Sequence, residues 1–224
     1  MSYAIAIDGP AGAGKSSIAK CLAERLGILY VDTGALYRVI GLSVYREAGD
    51  CSDPEVISGI ADAVRVELKY TEKGQRVYLN GEDVSEEIRR EEIGHMASVV
   101  SAVPFVREKL LSLQRDIAKE NSVVMDGRDI GTRILPDAKL KIFLTCPAEE
   151  RAMRRLRQLE EAGMTGDLDQ ILKDIIERDH RDSTREVSPL VKAEDAVEMD
   201  TSGMTAEGMA ERIIKEYGSC LKSC

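Results

Sequence analysis

The chain has 224 residues, 43% of them hydrophobic, with no Trp and only 2 Phe, so a single α/β domain with inserts can use its whole length around an aliphatic core. The net charge of −9 argues against general nucleic-acid or anionic-membrane binding, which want a basic surface, so any anionic ligand must be held by local arginines. The five cysteines (Cys21, Cys51, Cys146, Cys220, Cys224) form no CxxC and His95 and His180 are isolated, which excludes a zinc spacing; no apolar stretch reaches membrane-spanning length.

The tail Cys220-Leu-Lys-Ser-Cys224 is not a prenylation box, which needs Cys fourth from the end. The start lacks the basic opening and long apolar core of a signal peptide, so a reducing cytoplasm is the expected location.

In chain order, Ala4-Ile-Ala-Ile-Asp8 predicts a short buried strand, followed by a glycine-rich turn. Ile18, Leu22 and Leu26 recur at helical spacing over Lys15–Leu26. Ile28–Asp32 predicts a second strand, and Leu36, Ile40 and Val44 a second helix. Strand then helix, repeated, is the pattern of a parallel sheet covered on both faces. It returns at Ser122–Asp126, Lys139–Leu144 and Ala196–Met199, with helices after the last two. In between, Val64–Leu79 alternates around Thr71-Glu-Lys-Gly74, and the hairpin dipeptide Asn80-Gly81 follows. This reads as a β-rich insert at 63–90 inside a single domain spanning 1–224, with a decorative surface hairpin as the alternative. Gly163–Asp169, between two charged helices, predicts a mobile loop.

Gly9-Pro10-Ala11-Gly12-Ala13-Gly14-Lys15-Ser16 fits G-x-x-x-x-G-K-[ST] without mismatch, and it lies between a predicted strand and helix as that motif requires. Its glycines let backbone N–H groups turn around a phosphate, and the helix start adds a positive dipole end. Lys15 then reaches β/γ-phosphates and Ser16 can hold Mg²⁺. A nucleoside triphosphate is the expected ligand. A guanine-specific switch is disfavoured, because neither Asn80 nor Asn121 begins N-K-x-D, and Asp200-Thr-Ser-Gly203 matches D-x-x-G only as a short pattern.

The ends of the other strands supply acceptor chemistry. Asp32-Thr33-Gly34-Ala-Leu-Tyr37-Arg38 offers a hydroxyl, a phenol and a guanidinium; Arg107 follows Pro104; Met125-Asp126-Gly-Arg128-Asp129 adds a guanidinium and a carboxylate. In an open parallel sheet such strand ends share the edge where ligands bind. Arginine forks suit phosphate, and a carboxylate suits an amino group or sugar hydroxyl. The alternative for Arg128 and Asp129 is an internal ion pair. Asp126, at a strand end, is a candidate for orienting Mg²⁺-bound water. Around the Gly163 loop, Arg151, Arg154 and Arg155 share one helical face, and Arg178, Arg181, Asp182 and Arg185 another, the grouping a lid over triphosphate charge needs, with merely solvated helical faces as the alternative.

GPAGAGKSS, YVDTGALYR, MDGRDIGTRILPDA, IFLTCPAEERAMRR and ERDHRDSTREVSPL, in this order and spacing, resemble the bacterial cytidylate kinase family over essentially the whole chain. The resemblance implies an adenylate-kinase-like P-loop fold with a β-rich acceptor-binding insert and a helical lid at 151–185. It implies phosphoryl transfer from ATP, with Mg²⁺, to CMP or dCMP; separately, a monomer with no nucleic-acid or membrane partner is the expectation. The phosphate cradle extends through Ser17. Ser98, Arg107 and Asp129 fall at the cytosine, with Arg107 and Arg128 as expected partners for the Asp129 carboxylate. Thr33, Tyr37, Arg38 and Arg128 fall around the acceptor phosphate, with Thr33 where some members have Ser. Arg178 and Asp182 fall near the ribose and Arg185 near a phosphate. Lys15, Arg128, Arg155 and Arg185 are the residues expected to act on the transferring group, although the resemblance does not fix which of Arg151, Arg154 and Arg155 meets ATP. The rival readings are a kinase for UMP, shikimate or gluconate, and an ATP-binding adaptor that transfers nothing.

Overall fold

The structure, a computed structural model, describes residues 2–72 and 74–222; Lys73 of the Thr71–Gly74 turn, Cys224 and the side chain of Cys220 lie outside that description. In chain order the elements are β1 (Ala4–Asp8), α1 (Lys15–Leu26), β2 (Leu29–Asp32), α2 (Thr33–Ala48), α3 (Pro54–Ala63), β3 (Val66–Thr71), β4 (Gly74–Leu79), β5 (Glu82–Asp83), α4 (Glu91–Val100) and α5 (Pro104–Glu120). There follow β6 (Val123–Gly127), a π-helical turn at Ile130–Ile134, β7 (Leu140–Thr145), α6 (Ala148–Glu161), α7 (Leu168–Thr184), β8 (Val197–Asp200) and α8 (Ala206–Lys222). They fall into two compact units. One takes in the chain up to Tyr30 and from Ala118 onward; the other is Val31–Ile117.

The five-stranded sheet runs β2-β6-β1-β7-β8, and β1 pairs in parallel with both β6 and β7. Ile5, Ala6 and Ile7 are sealed from solvent on both faces, which explains why β1 reads as an unbroken apolar run and not an alternating one. Strand order reverses direction at β1, so the P-loop that leaves its C-terminal end sits at a topological switch point, where open α/β sheets bind ligands. Ile18, Leu22 and Ala23 of α1 pack with Ile142, Leu144, Met209 and Ile213 into the core of this unit. Gly27 stops α1 in the left-handed conformation and returns its N–H to Ala23 and Glu24 carbonyls.

The Val31–Ile117 unit holds the antiparallel sheet β3-β4-β5. Leu79 pairs with Glu82 across Asn80 and Gly81, whose φ values of 52° and 87° are the positive pair that a two-residue hairpin turn needs. With β5 only two residues long, this sheet is little more than a hairpin, which is marginal without helices to pack against. Val77 and Leu79 therefore share one core with Leu36 and Ile40 of α2, Ile93 and Met96 of α4, and Leu110 of α5. Asp32 caps α2 by accepting from Ala35 N–H at 3.1 Å.

Candidate active site

Gly9 opens the loop between β1 and α1 at φ 149°, and a Cβ there would lie 2.4 Å from the Leu144 carbonyl, so only glycine fits against β7. Three carbonyls of the loop are taken by side chains. Lys15 Nζ donates to Pro10 O at 2.7 Å, Arg151 Nη1 to Ala11 O at 3.0 Å, and Thr201 Oγ1 to Ala13 O at 3.1 Å. Lys15 is buried, and desolvation, followed by the charge of Arg128, pulls its amine down to about 7 despite the opposing pull of Asp126. A group so placed regains charge when a polyanion arrives.

Ser16 Oγ donates to Asp126 Oδ2 at 3.0 Å, and Tyr30 Oη to Asp126 Oδ1 at 2.9 Å. Asp126 is buried at the end of β6, where its backbone is held in register with Ile7. Ser16 and Asp126 thus present hard oxygens side by side, the donor chemistry Mg²⁺ accepts when phosphates supply the remaining ligands. Among the described residues no group of three or more His, Cys, Asp or Glu could hold a metal ion. Cys21, Cys51 and Cys146 are free thiols.

One residue beyond β6, Arg128 Nε donates to Asp182 Oδ2 at 2.8 Å. Burial alone would push the Asp182 carboxyl up; the charge and hydrogen bond of Arg128, with Arg178 and Arg185, outweigh it and hold the group below its usual range. Arg178, Asp182 and Arg185 follow one another at helical spacing along and just past α7, whereas Arg181 is exposed to solvent. Arg185 Nη2 stands 3.9 Å from Asp129 Oδ1, a guanidinium beside that carboxylate, while Arg128 turns to Asp182. The alternative of an Arg128–Asp129 pair is thereby replaced by Arg128–Asp182.

Arg151, Arg154 and Arg155 do not behave alike. Arg151 is 4% exposed, donating Nε to Cys146 O at 2.9 Å and both terminal nitrogens to Asp179 of α7 at 3.1 and 2.5 Å. Arg154 donates to Glu150 and to Thr201 O, each at 2.6 Å. Arg155 is exposed on α6. The Asp200–Gly203 segment, read from sequence as a chance pattern, supplies Thr201 to the P-loop; its signal was the strand end that precedes it. Sequence reasoning also passed over Asp8, the one acid in β1, which is 5% exposed.

In the Val31–Ile117 unit, Thr33 is buried at the start of α2 and Arg38 donates to Ile88 O at 2.9 Å. The Arg107 guanidinium lies 5.4 Å from the centre of the Tyr37 ring and donates to Ser101 O at 3.1 Å. Ser98 is half-buried on α4. Two of the five acceptor candidates in this unit, Tyr37 and Arg107, are thus in contact with each other.

The cytidylate kinase family model matches residues 5–219. The chain belongs to the cytidylate kinase family. It is 49% identical over 213 residues to a cytidylate kinase of Caldicellulosiruptor saccharolyticus, covering 95% of this chain and 94% of that protein. It is 52% identical over 202 residues to a cytidylate kinase of Mycolicibacterium paratuberculosis, covering 90% and 89%. A crystal structure of an uncharacterized protein from Eubacterium ventriosum superposes with a TM-score of 0.53 at 16% identity, covering 98% of this chain and 99% of that one, a likeness of fold alone. No helix among the described residues is long and apolar enough to cross a membrane.

Proposed function

We propose that the protein transfers the γ-phosphoryl group of ATP to CMP or dCMP, giving CDP or dCDP and ADP. The observation that carries this reading is the concentration of positive charge at the P-loop, where Arg128 and Arg178 both act on the Lys15 amine, in a chain of the cytidylate kinase family. The acceptor phosphate is already ionised, so no general base is needed. The task is to align its oxygen with the γ-phosphorus and to neutralise developing charge.

Backbone amides of Gly9–Ser17 receive the triphosphate, and Lys15 leaves Pro10 O for the β/γ-phosphates. Ser16, with Asp126 behind it, would hold Mg²⁺, which when bound neutralises charge on the β- and γ-phosphates. Arg128 and Arg185 serve the acceptor phosphate, Arg178 and Asp182 the ribose, and Asp129 the N4 amino group of cytosine, a donor that a carboxylate attracts. Arg155 serves ATP as the 151–185 region closes and keeps water from the γ-phosphate. Thr33, Tyr37, Arg38, Ser98 and Arg107, and the β-rich stretch 63–90, keep the acceptor-binding roles that family membership suggests. A cytoplasmic monomer completes the proposal.

Incubation with ATP, Mg²⁺ and separate acceptors (CMP, dCMP, UMP, shikimate, gluconate) tests it. CDP and dCDP are the expected products. Phosphorylation of a sugar acid in place of nucleotides, or of no acceptor, overturns it.

A further inference from the structure

Asp8 has no part in the transfer just described, yet it occupies the point where the P-loop strand ends. Its carboxylate closes β1, the central strand, immediately before Gly9. Its two oxygens are used separately: Oδ1 accepts from Ile130 N–H and Oδ2 from Gly131 N–H, each at 2.8 Å. These are the two successive amides that follow Asp129. In the same peptide group as the Ile130 N–H, the Asp129 carbonyl accepts from Arg133 and Ile134 N–H at 2.9 and 3.1 Å. The peptide group that leaves Asp129 is therefore held by both of its polar atoms, its carbonyl by the π-helical turn and its N–H by Asp8. The approach is close: a Cβ on Gly131 would lie 3.4 Å from Asp8 Oδ2 and 3.1 Å from Lys141 Cδ.

We propose that Asp8 is a positioning residue that fixes the Asp129 carboxylate for cytosine, so that acceptor choice depends on a side chain that never touches the nucleotide. The inference rests on the reading that Asp129 recognises the base. Two neighbouring N–H donors need two acceptor oxygens, and only the ionised acid offers both. An amide of the same shape sets its NH₂ against one N–H, leaving a buried donor unsatisfied.

The ionised form is held against a cost. Desolvation raises the Asp8 carboxyl to about 6, with the nearby Asp129 charge adding to the effect, while the two amides and Lys15 oppose it. Asp126 on β6 and Lys141 on β7 are the other charged groups on the flanking strands, and the Lys141 amine is engaged by Asp195 at 2.8 Å. Below pH 6 the neutral acid resembles the amide and offers one good acceptor.

The test compares wild type, Asp8→Asn and Asp129→Asn by steady-state kinetics with CMP and UMP from pH 5 to 8, alongside thermal unfolding. At pH 7.5, Asp8→Asn is expected to raise KM for CMP about tenfold, as loss of a charged hydrogen bond does. It should narrow the CMP-over-UMP preference and change KM for ATP less than about twofold, within the scatter of a contact not made. The ratio of mutant to wild-type KM for CMP should shrink toward pH 5, because acid converts wild-type Asp8 to the mutant's hydrogen-bonding pattern. The CMP phosphate titrates in both proteins and cancels in that ratio. Equal losses with CMP and UMP, an equal rise in KM for ATP, or a pH-independent ratio assigns Asp8 to general support of the sheet and overturns the inference. If Asp129→Asn narrows the preference and Asp8→Asn does not, positioning fails while base reading stands; if Asp129→Asn leaves the preference unchanged, both fall. Should Asp8→Asn not fold, wild type alone decides: its CMP-over-UMP preference must narrow as pH falls through 6.

Discussion

Lys15 illustrates at the residue scale how a site can work against the fold that holds it. Folding takes its amine from the ordinary 10.5 to about 7, through burial first and the Arg128 charge second. Between those values the unfolded chain binds more protons than the folded one, so this group makes stability rise with pH across that window, and its full cost is present below pH 7. Lys15→Met is therefore expected to raise the Tm at pH 7 by a few degrees, with the gain fading toward pH 10, while turnover falls at least about a hundredfold. A lower Tm refutes the burial argument, and near-wild-type turnover with ATP and CMP refutes the kinase assignment. Arg128 and Asp182 make a second case, because their side chains are 18% and 7% exposed and each depends on the other. Asp182→Ala should cost about 3 kcal/mol of stability, since removing one partner strands a mostly buried charge. It should also weaken CMP and dCMP together; unchanged affinity for both would make Asp182 a structural acid only. Motif residues were readable because their chemistry is tied to spacing. Partners such as Asp182 for Arg128 were not, because 54 positions separate the two.

Among the elements, β1 and α1 emerge with the boundaries their patterns predict, since an apolar run and a helical period are local properties. The α6 arginines show where that logic stops. Arg151 and Arg155 are one turn apart and were read as one face, but the period fixes direction and not depth. The first turn of α6 lies against the P-loop carbonyl of Ala11, whereas Arg155, one turn on, is exposed. Arg151 ties loop, β7 end and α7 together through Ala11, Cys146 and Asp179. Arg151→Ala should accordingly lower unfolding free energy by about 3–5 kcal/mol in urea titration, as loss of one partner from a buried pair does. A change under about 0.5 kcal/mol would place it with surface pairs. Residues 162–167, between α6 and α7, are exposed throughout. Their amide exchange should slow with an ATP–CMP bisubstrate mimic, and equal protection with and without it removes the lid from the proposal.

On the scale of the whole molecule, an excess of acid (net charge −9) coexists with a cationic cluster at one strand edge, so phosphate recognition is local and owes nothing to the overall field. Sequence marked the β-rich stretch by its alternation and its Asn-Gly turn. That α2, α4 and α5 share its core, making Val31–Ile117 one compact unit, was not legible, because shared burial is a property of contacts distant in sequence. The Gly9 backbone carries one more consequence. Position 9 excludes every side chain because Leu144 O would lie 2.4 Å from its Cβ, while position 8 requires a charged one for two amides. Two adjacent codons are thus intolerant for opposite reasons, one to any addition and the other to any neutralisation. In a saturation scan scored by growth on this enzyme alone, Ile5 and Ile7 should accept aliphatic replacements, while 8 and 9 form a narrow trough, its walls set by a carbonyl on the next strand and a turn more than a hundred residues away.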